Sequence, residues 1–189
     1  MPSRVPRVVA RVAIRSGPIM VGDADNWGAR RTRIVEWHAP EPGTATGMTL
    51  AGIDYLRGMA DGRLPIPPMA QLMAIHAVDV HDGRVAFGCT PDESMYNATG
   101  AIHGGMACTL LDFVCSCALL STLPAGKTVV SVEIKVSFLK VVHPRVGSLQ
   151  AIGTVVKRGA RVGFTEGNVT DANGVVVATA TSSVLVVDV

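Results

Sequence analysis

One short segment holds residues whose types and spacing could do chemistry. Asn97, His103, Gly104 and Gly105 lie within nine residues, and an apolar segment that contains Asp112 follows them directly. If that segment is a helix, its first backbone N–H groups lack partners, and the positive end of the helix dipole adds to their attraction for negative charge. Such a helix start stabilises the oxyanion that forms when a carbonyl is attacked. Glycine also lets a substrate approach the backbone closely.

Asp112 is the only charged residue between His103 and Lys127. A carboxylate buried without a partner costs several kcal/mol, roughly, so its place in an apolar helix needs a reason. It could be catalytic, or it could cap a loop or pair with an arginine elsewhere. Gly104 and Asp112 are eight residues apart, about 12 Å along a helix. One chain therefore cannot bring both to the same carbonyl, but two helices packed antiparallel across a two-fold axis can.

The elements that must position these residues follow from the hydrophobic pattern. Residues 106–120 are apolar and poor in β-branched side chains, which predicts a buried helix. Before it, residues 77–80 and 84–87 flank an Asp-Gly turn and predict a β-hairpin. After it, strands are predicted near residues 128–140, 146–158, 162–171 and 175–187. A short amphipathic helix within 48–64, a proline-rich link and a helical turn at 69–73 come first.

The expected fold class is therefore α+β, with an antiparallel sheet of five or six strands wrapped around one central helix. A single curved sheet leaves an edge open, and dimerisation would cover it. With 189 residues, the chain has room for one domain, which we place at residues 46–189. Residues 1–45 hold seven arginines and predict a basic, poorly ordered N-terminal arm, with a phosphate- or membrane-seeking arm or a targeting peptide as alternatives.

Composition excludes several classes of function. A net charge of +2 is too small to indicate nucleic-acid binding. The longest apolar run, residues 106–120, is shorter than the roughly 20 residues that span a membrane. The four cysteines have no zinc-site spacing and predict small apolar residues in a reduced core, so we expect a cytoplasmic protein without a metal.

The spacing of Asn97, His103, Gly104, Gly105 and Asp112 resembles the signature of the PaaI-type branch of hotdog-fold thioesterases. The likeness extends to the leading helix and proline link at 52–68, the strand at 131–135 and the basic turn at 157–162, and covers residues 48–187. It implies a hotdog fold, preceded here by an N-terminal extension, and acyl-CoA thioesterase activity.

The resemblance also assigns roles to individual residues. The Gly104 amide would polarise the thioester carbonyl, and Asp112 of the partner subunit would activate water or attack the carbonyl directly. Asn97 would add a donor or orient the loop, His103 would position the site, and Ser131 would hold the water or the carboxylate. Ser131 could equally be a strand residue bonded to backbone.

Coenzyme A would be bound by Gly105 and by three basic residues of one turn, Lys157, Arg158 and Arg161. Phosphate recognition suits such side chains, although basic side chains on an ordinary solvated face are nearly as common.

We expect hydrolysis of an acyl-CoA or acyl-carrier thioester by a homodimer or a homotetramer built as a dimer of dimers, without a cofactor. Two alternatives remain open. One is a hotdog acyl-thioester hydratase or dehydratase, which would need a differently arranged catalytic histidine. The other is a non-catalytic acyl-CoA-binding module, against which the presence of Asp112 argues.

Overall fold

The computed structural model describes residues 28–189. Three short helices precede the sheet, and proline fixes the start of two of them, because its ring fits the first helical turn. Leu56 of the second helix is buried in the core. The helices are α1 (Pro40–Gly47), α2 (Gly52–Ala60) and α3 (Pro68–Leu72).

Six antiparallel strands form one sheet in the order β1-β2-β4-β5-β6-β3. Burial alternates along β5, as expected of a strand with one face towards the core. β1 and β3 lie at the two edges of the sheet. The strands are β1 (Ile75–His81), β2 (Arg84–Cys89), β3 (Lys127–Phe138), β4 (Leu149–Arg158), β5 (Val162–Thr170) and β6 (Val176–Asp188).

The long helix α4 (Gly104–Leu120) packs against strands β2 to β6. Leu110, Leu111, Val114 and Leu119 of this helix are fully buried. Burial of each such side chain stabilises the fold by about 1.5–3 kcal/mol. This packing fixes α4 against the sheet and thereby positions the polar groups on its free face.

Glycines on β4 and β5 allow α4 to lie very close to the sheet. A Cβ at Gly153 would stand 2.2 Å from the carbonyl oxygen of Val114, and one at Gly163 would stand 2.5 Å from the Leu119 side chain. Both distances are shorter than real contacts. A side chain at Gly153 would push the helix backbone away, and one at Gly163 would displace the buried Leu119 side chain.

The structure confirms the predicted hotdog architecture. The hairpin, the buried helix and the four later strands lie where the hydrophobic pattern placed them, and the helix predicted within 48–64 is confined to α2. Residues 28–39 have no regular structure, whereas α1 crosses the expected boundary at residue 45. The remainder of the basic arm, residues 1–27, lies outside the described residues. Within residues 28–189, no helix is both long and apolar enough to span a membrane.

Among residues 28–189, strand β3 is an exposed edge that pairs with β6 alone. Its twelve residues are all exposed or half-buried, and Val130, Val132 and Phe138 are among the large apolar side chains that stand in solvent. A long edge with apolar side chains is a surface on which another strand can pair.

Candidate active site

The loop before α4 is shaped by Asn97. Its side-chain oxygen accepts hydrogen bonds from the Thr99 amide at 2.9 Å, the Thr99 hydroxyl at 2.8 Å and the Ala101 amide at 3.1 Å. Three bonds from one oxygen fix the turn that leads into the helix. The structure therefore gives Asn97 a loop-orienting geometry, and its side-chain N–H groups have no recorded partner within residues 28–189.

His103 caps the start of α4. Its Nδ1 accepts a hydrogen bond from the Gly105 amide at 2.8 Å. Because Nδ1 is the acceptor, a neutral His103 carries its proton on Nε2. The sequence predicted that both glycine amides would be free. The cap uses the Gly105 amide and leaves that of Gly104 without a recorded partner in the described part of the chain.

Gly104 lies beneath the ring of Phe138. A Cβ at Gly104 would stand 3.1 Å from two carbons of that ring, so even an alanine would crowd it. The Phe138 side chain is 58% exposed and forms part of the surface next to the free amide. Glycine at position 104 therefore keeps the space between the helix start and the Phe138 ring free of a side chain.

A cavity of about 290 Å³ adjoins the Gly104 amide. We call it the Gly104 cavity. Its walls are mostly apolar, and its polar members are Asn97, His103 and Lys140. A mainly apolar cavity with a few converging polar groups is the usual form of a small-molecule site. Further lining comes from Ala107, Leu139, Val141, Val142, Leu149 and Val177.

Asp112 stands on the half-buried face of α4, beside β3. Its Oδ1 accepts a hydrogen bond from the Ser131 hydroxyl at 2.6 Å. The hydroxyls of Ser116 and Ser131 are 2.8 Å apart. Since Ser131 gives its only proton to the carboxylate, Ser116 must donate to Ser131. Oδ2 of Asp112 has no recorded partner within residues 28–189, so it is available to a water or a substrate.

The two groups of site residues are separated within one chain. Asn97, His103, Gly104 and Gly105 meet at the start of α4, while Asp112 and Ser131 meet two helical turns further on, about 12 Å away. The spacing predicted this separation. A single chain therefore does not bring the two groups of predicted site residues together.

The basic turn lies at the other end of α4. Arg158 donates to the carbonyl oxygen of Thr122 at 2.6 Å, just past the end of the helix, where a cation is favoured by the helix dipole. Lys157 and Arg161 are exposed in the same turn. The structure thus separates these three residues from the Gly104 cavity of their own chain, and gives Arg158 a structural contact.

The cysteines near the site are protonated thiols at neutral pH. Burial is the main cause that raises the pKa of Cys115 to about 11 and that of Cys117 to about 12, and the nearby Asp112 carboxylate adds to both. All four cysteines are free. Thiols with so high a pKa are poor nucleophiles. Within residues 28–189, no three His, Cys, Asp or Glu side chains are grouped to hold a metal ion.

Two residues of the site escaped the sequence analysis. Ser116 follows Asp112 by four residues, so its place on the same helix face could have been read from the helical period. Phe138 gave no such signal, because its contact with Gly104 depends on how the end of β3 passes the start of α4.

Comparison with known proteins points to one superfamily. The sequence model of the thioesterase superfamily matches residues 99–178. A curated protein of Halobacterium salinarum, provisionally named an esterase, is 30% identical over 103 residues, which cover 52% of this chain and 66% of that protein.

Two solved structures are similar to this chain in both fold and sequence. A phenylacetic acid degradation-related protein from Ralstonia eutropha JMP134 is 26% identical with a TM-score of 0.64, covering 69% of this chain and 98% of its own. The protein smu.793 of Streptococcus mutans UA159, solved with acetyl CoA bound, is 25% identical with a TM-score of 0.55, covering 60% of this chain and 89% of its own.

Proposed function

Residues 99–178 of this hotdog-fold chain belong to the thioesterase superfamily, and from this premise we propose that the protein hydrolyses acyl-CoA or acyl-carrier thioesters to a free acid and a thiol. One observation carries the proposal. A helix start with a free Gly104 amide adjoins an apolar cavity, and the same helix presents Asp112 with one oxygen bound and the other free.

The chemistry follows from these two halves. The thioester oxygen accepts the Gly104 N–H, which stabilises the oxyanion together with the helix dipole. Asp112 either takes a proton from an attacking water or attacks the carbonyl to form an anhydride that water then hydrolyses. In both routes the carbon–sulfur bond breaks and the thiolate leaves. Ser131 holds Oδ1 and so directs Oδ2 towards the substrate.

A dimer formed through β3 would join the two halves. On this strand, Ser131 is hydrogen-bonded to Asp112, and Phe138 lies over Gly104. Antiparallel pairing of two copies of β3, centred between Ile134 and Lys135, places Ser131 of one copy opposite Phe138 of the other. Asp112 of one subunit would then face the free Gly104 amide of its partner, twice in each dimer.

Coenzyme A as the thiol is supported by the Streptococcus mutans neighbour that binds acetyl CoA. The basic turn at Lys157, Arg158 and Arg161 lies away from the Gly104 cavity of its own chain, so any contact with CoA phosphates would come from the partner subunit. Arg158 already donates to the Thr122 carbonyl oxygen, so it is less available for a phosphate than Lys157 or Arg161.

The direct test is turnover by the purified full chain. We expect thiol release from acyl-CoAs, and we expect Asp112→Asn to reduce kcat by about a hundred- to ten-thousand-fold while binding persists, because the amide is nearly isosteric but is neither a base nor a nucleophile. Asp54→Asn, a change of an exposed aspartate on α2, is the matched control and should leave kcat unchanged.

The same assay separates the alternatives. A hydratase would change enoyl absorbance without releasing thiol, and a binding module would bind acyl-CoA without turnover. Unchanged thiol release by the Asp112→Asn variant would refute the catalytic assignment.

A further inference from the structure

A second cavity of about 180 Å³ lies beside the C-terminal end of α4. We call it the Tyr55 cavity. Elements α1, α2, α4 and β3 all contribute to it, although α1 has no counterpart in the likeness that covers residues 48–187. The side chains that matter below are those of Thr44, Met48, Leu50, Tyr55, Leu120 and Lys127.

This cavity lies on the same face of α4 as the proposed catalytic carboxylate. Asp112, Ser116 and Leu120 recur every four residues, so they form one row along the helix. Leu120, at the end of that row, lines the cavity. The distance from Asp112 to Leu120 along the helix is about 12 Å. On the facing strand, Ser131 binds Asp112 and Lys127 lines the cavity. The carboxylate and the Tyr55 cavity therefore lie on the same side of α4, next to β3, with the hydrogen-bonded Ser116 and Ser131 between them.

Close packing of α1 and α2 narrows the cavity on the side away from Asp112. A Cβ at Gly52 would stand 1.9 Å from the carbonyl oxygen of Leu120, so α2 lies directly against the end of α4. A Cβ at Gly47 would stand 2.5 Å from the ring of Tyr55, so α1 lies directly on that ring.

The two cavities suit different halves of a thioester. The thiol half carries a nucleotide that must remain outside, and the Gly104 cavity opens through the exposed residues Leu139 and Val141. The acyl half carries no such group, so protein can surround its end. A cavity of about 150 Å³ accommodates a benzene ring, so the Tyr55 cavity has room for a ring-sized or short aliphatic end, but not for a long chain.

We propose that the Tyr55 cavity receives the distal end of the acyl group and that α1 is its end wall, so that compact acyl groups are preferred to long chains. This inference rests on the proposed thioesterase function. It assigns α1 a part in substrate selection, in contrast to the sequence-based expectation of a poorly ordered arm up to residue 45.

Three variants of the full chain test it, each assayed by kcat/KM with straight-chain acyl-CoAs from butanoyl to hexadecanoyl. Met48→Ala widens the cavity at a side chain that is 39% exposed, so the fold should survive. Thr44→Leu narrows the cavity from α1. Leu139→Ala is the control, because it shortens a side chain that is 59% exposed in the Gly104 cavity.

We expect Met48→Ala to move the preferred chain length upwards and Thr44→Leu to move it downwards. The ratio of kcat/KM for long and short substrates should change about ten-fold, the usual effect of a methylene in an apolar pocket. Leu139→Ala should leave the order of substrates unchanged. Circular dichroism confirms that each variant is folded.

Two results would overturn the inference while the proposed function stands. One is a change of chain-length preference in Leu139→Ala alone, and the other is an equal effect of Met48→Ala on every substrate. Failure of the unaltered protein to release thiol from any acyl-CoA would instead refute the proposed function, and this inference with it.

Discussion

Hydrogen-bond direction at Asp112 decides which of its oxygens can react. The chain of donors runs from Ser116 to Ser131 and ends on Oδ1. Oδ1 is therefore held in place, and Oδ2 is the oxygen that reacts in the proposed mechanism. A hydrogen bond to a charged acceptor contributes about 1.5–3 kcal/mol, whereas one between two neutral hydroxyls contributes about 1 kcal/mol. Ser131 should consequently matter more than Ser116.

We expect Ser131→Ala to lower kcat about ten- to a hundred-fold, since the carboxylate loses its only recorded charge-assisted bond. Ser116→Ala should lower kcat only a few-fold, because it acts on Asp112 through Ser131. Steady-state kinetics of both variants measures the difference. Ser137→Ala, which changes an exposed serine of the same strand, serves as the control. A larger loss in Ser116→Ala than in Ser131→Ala would contradict the inferred direction of the chain.

The sequence predicted much of this site because its spacing is carried by one helix. Gly104 and Asp112 could be placed two turns apart from helical geometry alone. The hydrogen bond from the Gly105 amide to His103 could not be predicted, because it depends on the rotamer of His103. That rotamer turns Nδ1 back onto the helix start.

The elements of the sheet were predictable because each has a clear hydrophobic period and a recognisable turn. Helix α1 was not, since its sequence is rich in proline, glycine and threonine and has no apolar face. Tertiary contacts hold it instead. A Cβ at Gly43 would stand 2.8 Å from Pro65, and the similar approach of Gly47 to Tyr55 fixes the other end.

The turn between β5 and β6 depends on Asp171. Its Oδ1 accepts the amides of Asn173 and Val175 at 2.9 and 3.0 Å, and the Lys140 ammonium lies 3.5 Å from Oδ2. The Val175 amide is the largest cause that lowers the pKa of this carboxyl below its ordinary value. Since the folded pKa is the lower one, the ionised carboxylate stabilises the fold at neutral pH, and this contribution is lost as the pH falls through the folded pKa.

We expect Asp171→Ala to lower the Tm by a few degrees at pH 7 and to cost progressively less below about pH 4. Thermal unfolding across that pH range measures this. Asp171→Asn keeps the oxygen acceptor of the turn and removes only the charge, so it should recover only part of the stability lost in Asp171→Ala at pH 7. A deficit in Asp171→Ala that does not vary with pH would show that charge plays no part.

At the scale of the whole molecule, the proposed site needs two chains. Asp112→Asn and Gly104→Val should each inactivate a homodimer, the second because valine would collide with Phe138. A heterodimer of the two variants contains one site with both residues intact. Co-expression with two purification tags should therefore restore about half of the normal activity per dimer. An inactive heterodimer would indicate that each site lies within one chain.

The spacing on α4 could predict that the two groups of residues lie apart in one chain, but not how two copies would pair, because strand register across an interface is set by contacts between copies. The β3 pairing proposed above rests on the positions of Ser131 and Phe138 along that strand.

The glycines under α4 restrict how this protein can be redesigned. On the sheet side of the helix, Gly153 and Gly163 already present bare backbone, so no side chain remains there to be trimmed for a bulkier substrate. Any mutation at these two positions can only add atoms beneath the helix that carries Asp112. Under the proposal made above, adaptation to larger acyl groups is open instead at Thr44 and Met48, which line the Tyr55 cavity at the end of α1.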